Sequence, residues 1–247
     1  MTRVTESVNI IAIRVTLIVG NKIFLSKTEK TMEDTISKDH KDSKFQILPS
    51  LKERYSPRVF SEKPVSEVEL RSLFEAGRWA ASSYNRQPWR IIWGIKGSKT
   101  YDRIFDCLGE FNQSWAGNAP VLLITAFKTK TDEGQENFHA LHDLGLFMGN
   151  VTTQAQHLGI ALHHMAGVDF KKAKKEFKFP EEYHVATAVA IGYYGGNPKD
   201  LPEELRAQED PENRTRMMQR EFTFNGDYTN EPGLTSDNAG TLDNTTS

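Results

Sequence analysis

The chain has 247 residues, 38% of them hydrophobic, with 31 Lys and Arg against 33 Asp and Glu for a formal net charge of −2. That is enough apolar material for one large domain or two small ones, and the near-neutral balance argues against a general nucleic-acid binder, whose phosphate contacts leave a basic excess. The single cysteine, Cys107, excludes an internal disulfide and a thiolate metal cluster and fits a reducing cytoplasm.

The chain begins with an apolar stretch, "VNIIAIRVTLIVGNKIFL", but Asn9, Arg14, Asn21 and Lys22 interrupt it before a bilayer span of about 20 residues is complete. It also lacks the cleavage site of a secretory signal. Its β-branched residues suit a strand. Met32 then opens a polar segment that would serve as an ordinary start, so residues 1–44 read as an extension whose first part is dispensable. Residues 229–247 are small, polar and without periodicity, and read as a disordered tail. The expected working domain is 45–228.

Inside it, helical and extended signals alternate. "KPVSEVELRSLFEAGRWAA" has Ser66 as N-cap, Glu69 to close a capping box and Val65 to staple against Leu70, with Leu70, Leu73, Phe74 and Gly77 as its apolar face. A strand follows at "RIIWGI", then a helix at "TYDRIFDCL" with Cys107 packed beside Ile104 and Leu108, then a buried strand at "APVLLITAF". From Asn137 to His157, Leu141, Leu144, Met148, Val151, Ala155 and Leu158 recur at helical spacing, and Gly159 ends the helix. "IALHHMAGV" reads as a strand entering a turn, "DFKKAKKEF" as a short helix capped by Asp169, and "YHVATAVAIGYYGG" as the longest strand. Trp79, Phe74 and Trp93 are expected in the core. Periodicity gives an α/β or α+β domain, and the alternation by itself favours a parallel sheet.

Two segments carry chemistry. In "RYSPRVF", Arg54, Ser56 and Arg58 alternate in an extended stretch, with Pro57 disfavouring helix at Ser56. Two guanidiniums flanking a hydroxyl make a phosphate clamp, or else a solvated surface in which the spacing is incidental. Arg214 and Arg216 in "NRTRMMQREFTF" form a second basic pair. In "SSYNRQPW", Ser82, Ser83, Asn85 and Gln87 crowd neutral hydrogen-bonding groups where a helix ends, more than a solvent turn needs, which suits a flat, uncharged, polar ligand. His139 and His142 are spaced i, i+3 with no third metal ligand in register, and His163 and His164 point to opposite faces of their strand, so no metal site is expected. "KKAKKEFK" reads as a solvated helix face.

Taken in order, "RYSPRVF", "EAGRWAASSYNRQPWR", "NAPVLLI", "HDLGLFMGNVTTQAQHLGIA", "AVAIGYYGG" and "RTRMMQREFTF" resemble the flavin-dependent nitroreductases from about Leu51 to Tyr228. The resemblance implies an α+β fold with a central, mostly antiparallel sheet wrapped by helices, in place of the parallel sheet. It also implies a domain-swapped homodimer with FMN at the interface. It puts Arg54, Ser56 and Arg58 at the FMN phosphate and ribityl end, joined by Arg214 and Arg216, and Ser82, Ser83, Asn85 and Gln87 on FMN bound mainly by the other subunit. Asn112 is expected at the pyrimidine edge of the ring, and the backbone of Ala166 and Gly167 at flavin N5. This family often has a bulkier or acidic residue where Ala166 stands, and "AP" where this chain has "AA" before the serines. The implied activity is hydride transfer from NAD(P)H through flavin N5 to a nitroaromatic, quinone or activated alkene by ping-pong traffic, with no acid–base residue named. An FMN-dependent dehydrogenase or dehalogenase on the same fold, or a flavin-sensing module, stay open as alternatives. The partners expected are NAD(P)H, a small oxidised acceptor and a second copy of the chain, with no nucleic acid or membrane.

Overall fold

The structure is a computed structural model that describes residues 17–19, 22–24, 45–214, 216–217 and 222–228. The expected tail at 229–247 and most of the expected extension at 1–44 lie outside these. The chain divides into two units, Met1–Phe45 with Arg216–Ser247, and Gln46–Thr215. In the first, β1 (Leu17–Val19) pairs antiparallel with β2 (Lys22–Phe24), which is strand in the stretch where β-branched residues suggest it.

The second unit holds α1 (Pro49–Glu53), α2 (Glu67–Arg78), β3 (Trp89–Ile95), α3 (Lys99–Phe105), α4 (Glu110–Ala116), β4 (Val121–Lys128), α5 (Ala140–His157), β5 (Ile160–Met165), α6 (Phe170–Glu176), β6 (Tyr183–Tyr193) and α7 (Glu203–Arg206). The start of α2 is the capping box its sequence spells. Ser66 Oγ accepts from the Glu69 backbone at 3.2 Å and the Glu69 carboxylate accepts from the Ser66 backbone at 2.8 Å, an arrangement that stabilises a helix by about 1 kcal/mol. The Tyr193 hydroxyl also donates to Glu69, and these bonds, that of Tyr193 first, hold the carboxyl below its usual range.

The sheet runs β3-β4-β6-β5, and every neighbouring pair is antiparallel. Ile95 pairs with Val121, so the connection carrying α3 and α4 starts and ends at the same end of the sheet. That return removes the parallel arrangement suggested by alternation. Successive residues of β4 face opposite ways: Leu122, Ile124 and Ala126 enter a core with Tyr101, Ile104, Cys107, Trp115 and Ala173 from α3, α4, α6 and their connections. Val121 and Leu123 enter the other core with Leu70 and Leu73 of α2 and Leu144, Phe147, Met148, Val151 and Ala155 of α5. A bulge at Thr125/Ala126 interrupts the register, and the buried Thr125 hydroxyl is satisfied there by Thr187. Gly77 lets α2 meet α5 closely, since a Cβ on it would lie 2.5 Å from the Phe147 ring.

Phe74 and Trp93 pack as expected, but Trp79 is 74% exposed. It stands at the C-cap of α2, past the 70-73-77 stripe, and lies over Arg78 with its indole N–H on Glu75. Leu141 is also outside the core, 58% exposed on the far side of α5.

Candidate functional site

Arg54 is the C-cap of α1, and the extended run after it sets Arg54 and Ser56 on one side, where Arg54 Nη1 donates to Ser56 Oγ at 3.1 Å. His163 of β5 holds the next residue, its Nδ1–H donating to the Pro57 carbonyl at 3.0 Å. Burial, reinforced by the positive Arg58 and Arg54, pushes the His163 imidazole below its usual pKa, so the ring is held neutral with its proton on Nδ1.

Arg58 is occupied differently from a phosphate ligand. Its backbone N–H and Nη1 donate to Glu209 at 2.8 and 3.1 Å, and the Glu209 side chain is only 3% exposed. This pair straps the 54–58 segment to the stretch after α7, and leaves Arg58 Nε buried without a hydrogen-bond partner among the described residues. Arg214 is occupied too. Its Nη1 donates to the carbonyls of Arg54, Lys52 and Glu53 at 2.8, 3.1 and 3.3 Å, which satisfies the bare carbonyl end of α1 and places a cation where the helix dipole favours one. Arg216 is exposed and belongs to the other unit.

Asn112 and the turn at Ala166 and Gly167 come together. Asn112, 7% exposed on α4, donates through Nδ2 to the Gly167 carbonyl at 2.9 Å, and the Gly109 backbone donates to the same oxygen at 3.0 Å. Val168 N–H closes back on the Ala166 carbonyl at 2.9 Å, leaving Ala166 and Gly167 exposed at a tight corner. A Cβ on Gly167 would lie 2.6 Å from Asn112 Nδ2, so the contact requires glycine. One turn along α4, Trp115 stacks on His163 with ring centroids 4.5 Å apart. Helix α4 therefore bridges the two groups. Strand β5 carries the chain from His163 to Met165, and the corner at Ala166 and Gly167 follows directly.

Ser82, Ser83, Asn85 and Gln87 form a second cluster. The Ser83 backbone donates to Asp143 Oδ2 at 3.1 Å, and Asp143 is buried in the first turn of α5. Ser82 Oγ accepts from Gln87 N–H at 3.1 Å, and Gln87 Nε2 donates to both oxygens of Asn85. Much of the loop's polar surplus thus braces the loop itself. Tyr84, Asn85 and Gln87 have φ of 51, 54 and 46°, a conformation that Asn tolerates and that strains Tyr and Gln. Tyr84 is 90% exposed.

Four supporting residues escape local reading: His163, Trp115, Glu209 and Asp143. Their partners are 48 to 151 positions away, the longest separation being that of Arg58 and Glu209. His142 Nδ1 lies 3.5 Å from Asp143 Oδ1, and no cluster of three metal-ligating side chains occurs among the described residues. No helix among them is long and apolar enough to cross a membrane.

A family model described as the nitroreductase family matches residues 51–111 and 96–193. A Streptomyces coelicolor protein, whose own assignment as an NADH dehydrogenase/NAD(P)H nitroreductase is provisional, is 25% identical over 159 residues, covering 56% of this chain and 78% of that one. The FMN reductase [NAD(P)H] of Bacillus subtilis is 24% identical over 176 residues, covering 65% and 59%. Among solved structures, an oxidoreductase containing FMN superposes with a TM-score of 0.72 at 30% identity, covering 76% of this chain and 96% of that one.

Proposed function

Because the chain belongs to the nitroreductase family, we propose that it is an FMN-dependent NAD(P)H oxidoreductase. The observation that carries this is the bridge made by α4: Asn112 on Gly167 and Trp115 on His163 join the Arg54–Ser56 donors to the exposed corner at 166–167. A guanidinium and a hydroxyl at one end suit a phosphate, and a neutral backbone corner at the other suits the edge of a flat ring.

FMN held there would supply hydride-transfer chemistry between NAD(P)H and a nitroaromatic, quinone or activated alkene, in alternating half-reactions. Arg54 and Ser56 hold the phosphate. Arg58, tied to Glu209, fixes the shape of the segment that carries them. Asn112 takes hold of the Gly167 carbonyl, which fixes the 167–168 peptide and so the shape of the corner whose backbone would meet the ring. His163 keeps a proton on Nδ1 for Pro57 and stays neutral beside the anion site.

The working form in this reading is a homodimer. On α5, Leu141, Gly145 and Gly149 repeat at i, i+4, and a Cβ on either glycine would meet nothing within 4 Å, a surface open to another helix at close range. The Ser82–Gln87 loop is anchored on Asp143 of that same helix, which supports its reaching a flavin held by the partner subunit.

The test is the visible spectrum of the purified protein without oxygen, before and after NADPH and then NADH. A flavin spectrum bleached by either nucleotide is expected. A flavin that stays oxidised refutes the NAD(P)H step, and no flavin after incubation with FMN refutes the site. Arg54→Ala should weaken flavin binding by about 1.5–3 kcal/mol, the range for a charge-assisted hydrogen bond; unchanged retention removes Arg54 from the phosphate. A monomer in sedimentation that still holds flavin tightly contradicts the shared site.

A further inference from the structure

Between α6 and the start of β6 lies an open cleft of about 520 Å³ that shares no residue with the flavin site proposed above. Four lysines line it, Lys171, Lys174, Lys175 and Lys178, with Glu181 as the one acidic lining residue. Glu181 is already engaged, its carbonyl and carboxylate taking Lys174 Nζ at 2.8 and 3.2 Å. Lys172 points elsewhere, to the Asp106 carbonyl. Lys171, Lys175 and Lys178 have no acidic partner among the described residues. They stand at i, i+4 and i+7, which brings like charges together along one side of the helix and its end, a repulsion that the dipole at the carbonyl end offsets only in part.

Lys178 sharpens the point. It occupies the position after the C-cap of α6 with φ 54°, where Phe179 N–H reaches back to the Lys174 carbonyl at 3.0 Å and Lys178 N–H to that of Lys175 at 3.2 Å. Glycine is the usual residue at such a position because it is free of strain there. This chain keeps a lysine, aimed into a cleft already rich in lysine. The remaining lining is aromatic and apolar: Phe170 and His184, ring centroids 5.5 Å apart, with Phe179 and Val185.

We propose that this cleft binds a nucleoside phosphate, its base against Phe170 and His184 and its phosphates on Lys171, Lys175 and Lys178. The ammonium groups supply point charges for phosphate, the rings a surface for a planar base, and the volume is that of a small-molecule site. A polynucleotide fits less well, given the net charge of −2 on the whole chain.

The experiment is calorimetric titration of the flavin-loaded protein at low salt with ADP, with adenosine and with pyrophosphate. ADP should saturate with a dissociation constant at least about tenfold below that of either fragment. Lys178→Gly should weaken ADP about tenfold, one charge-assisted contact, without lowering the thermal midpoint, because glycine relieves the backbone. Lys171→Gln with Lys175→Gln should weaken it further and leave flavin content unchanged. The proposal is overturned by no saturable ADP binding, by pyrophosphate binding as tightly as ADP, by displacement of ADP with excess FMN, or by full affinity in the lysine variants. Lysine-dependent binding to phosphatidylserine vesicles in place of ADP would overturn it as well.

Discussion

Replacing Gly167 by alanine tests the corner on which the site depends. Gly167 does not lie in the left-handed region, so alanine meets no backbone penalty there. The whole effect is one collision, the new methyl 2.6 Å from Asn112 Nδ2. Either the corner shifts or the Asn112 amide swings away from the Gly167 carbonyl, and overpacking of this kind costs about 1–3 kcal/mol. Asn112→Ala alone loses its hydrogen bond to Gly167 and should cost about 1–2 kcal/mol. With Ala at 112 the collision is gone, so Gly167→Ala added to that variant should cost no more than about 0.5 kcal/mol, the limit of additivity for independent sites. The four proteins are compared by urea unfolding, followed by tryptophan fluorescence and repeated with FMN added. If Gly167→Ala costs the same on both backgrounds, the contact is not what requires glycine, and the account of the corner fails.

Glu209→Ala strands the Arg58 guanidinium, whose side chain is 17% exposed, and should cost about 2–4 kcal/mol, somewhat below a fully buried pair; a loss under about 1 kcal/mol in urea unfolding would make the strap dispensable. His163 is depressed in the folded state, so its contribution to stability is complete above the unfolded value near 6.5 and is lost as pH falls from there through the lower folded value. His163→Asn should therefore show a flatter loss of urea midpoint below about pH 6.5 than the parent, and an unchanged slope refutes the assignment. Asp143→Ala removes the acceptor for Ser83 N–H and should cost about 1–2 kcal/mol while speeding amide exchange at Ser83; exchange as slow as in the parent would mean that the loop is held by something else.

The sequence by itself determined the elements whose signals lie within a turn or two of chain. Ser66 and Glu69, three apart, start α2 where they say it starts; Asp169 caps α6; the 144-148-151-155 spacing buries one face of α5. Those contacts close over a few residues, so composition and spacing contain them. The ordered motifs also named Arg54 and Ser56, which bond to one another, and Asn112 and Gly167, which do the same. Through the family they resemble, those motifs implied the antiparallel sheet that the alternation of elements by itself pointed away from. The tertiary structure alone fixed the end of the sheet at which each connection returns. It decided that Trp79 and Leu141 face outward, since an apolar residue reads alike on a core and on an open surface. It decided as well that Arg58 belongs to Glu209, 151 positions away, and Arg214 to the carbonyl end of α1. A guanidinium pairs with whatever acceptor the folded chain brings within reach, and that distance is set by the packing of whole elements.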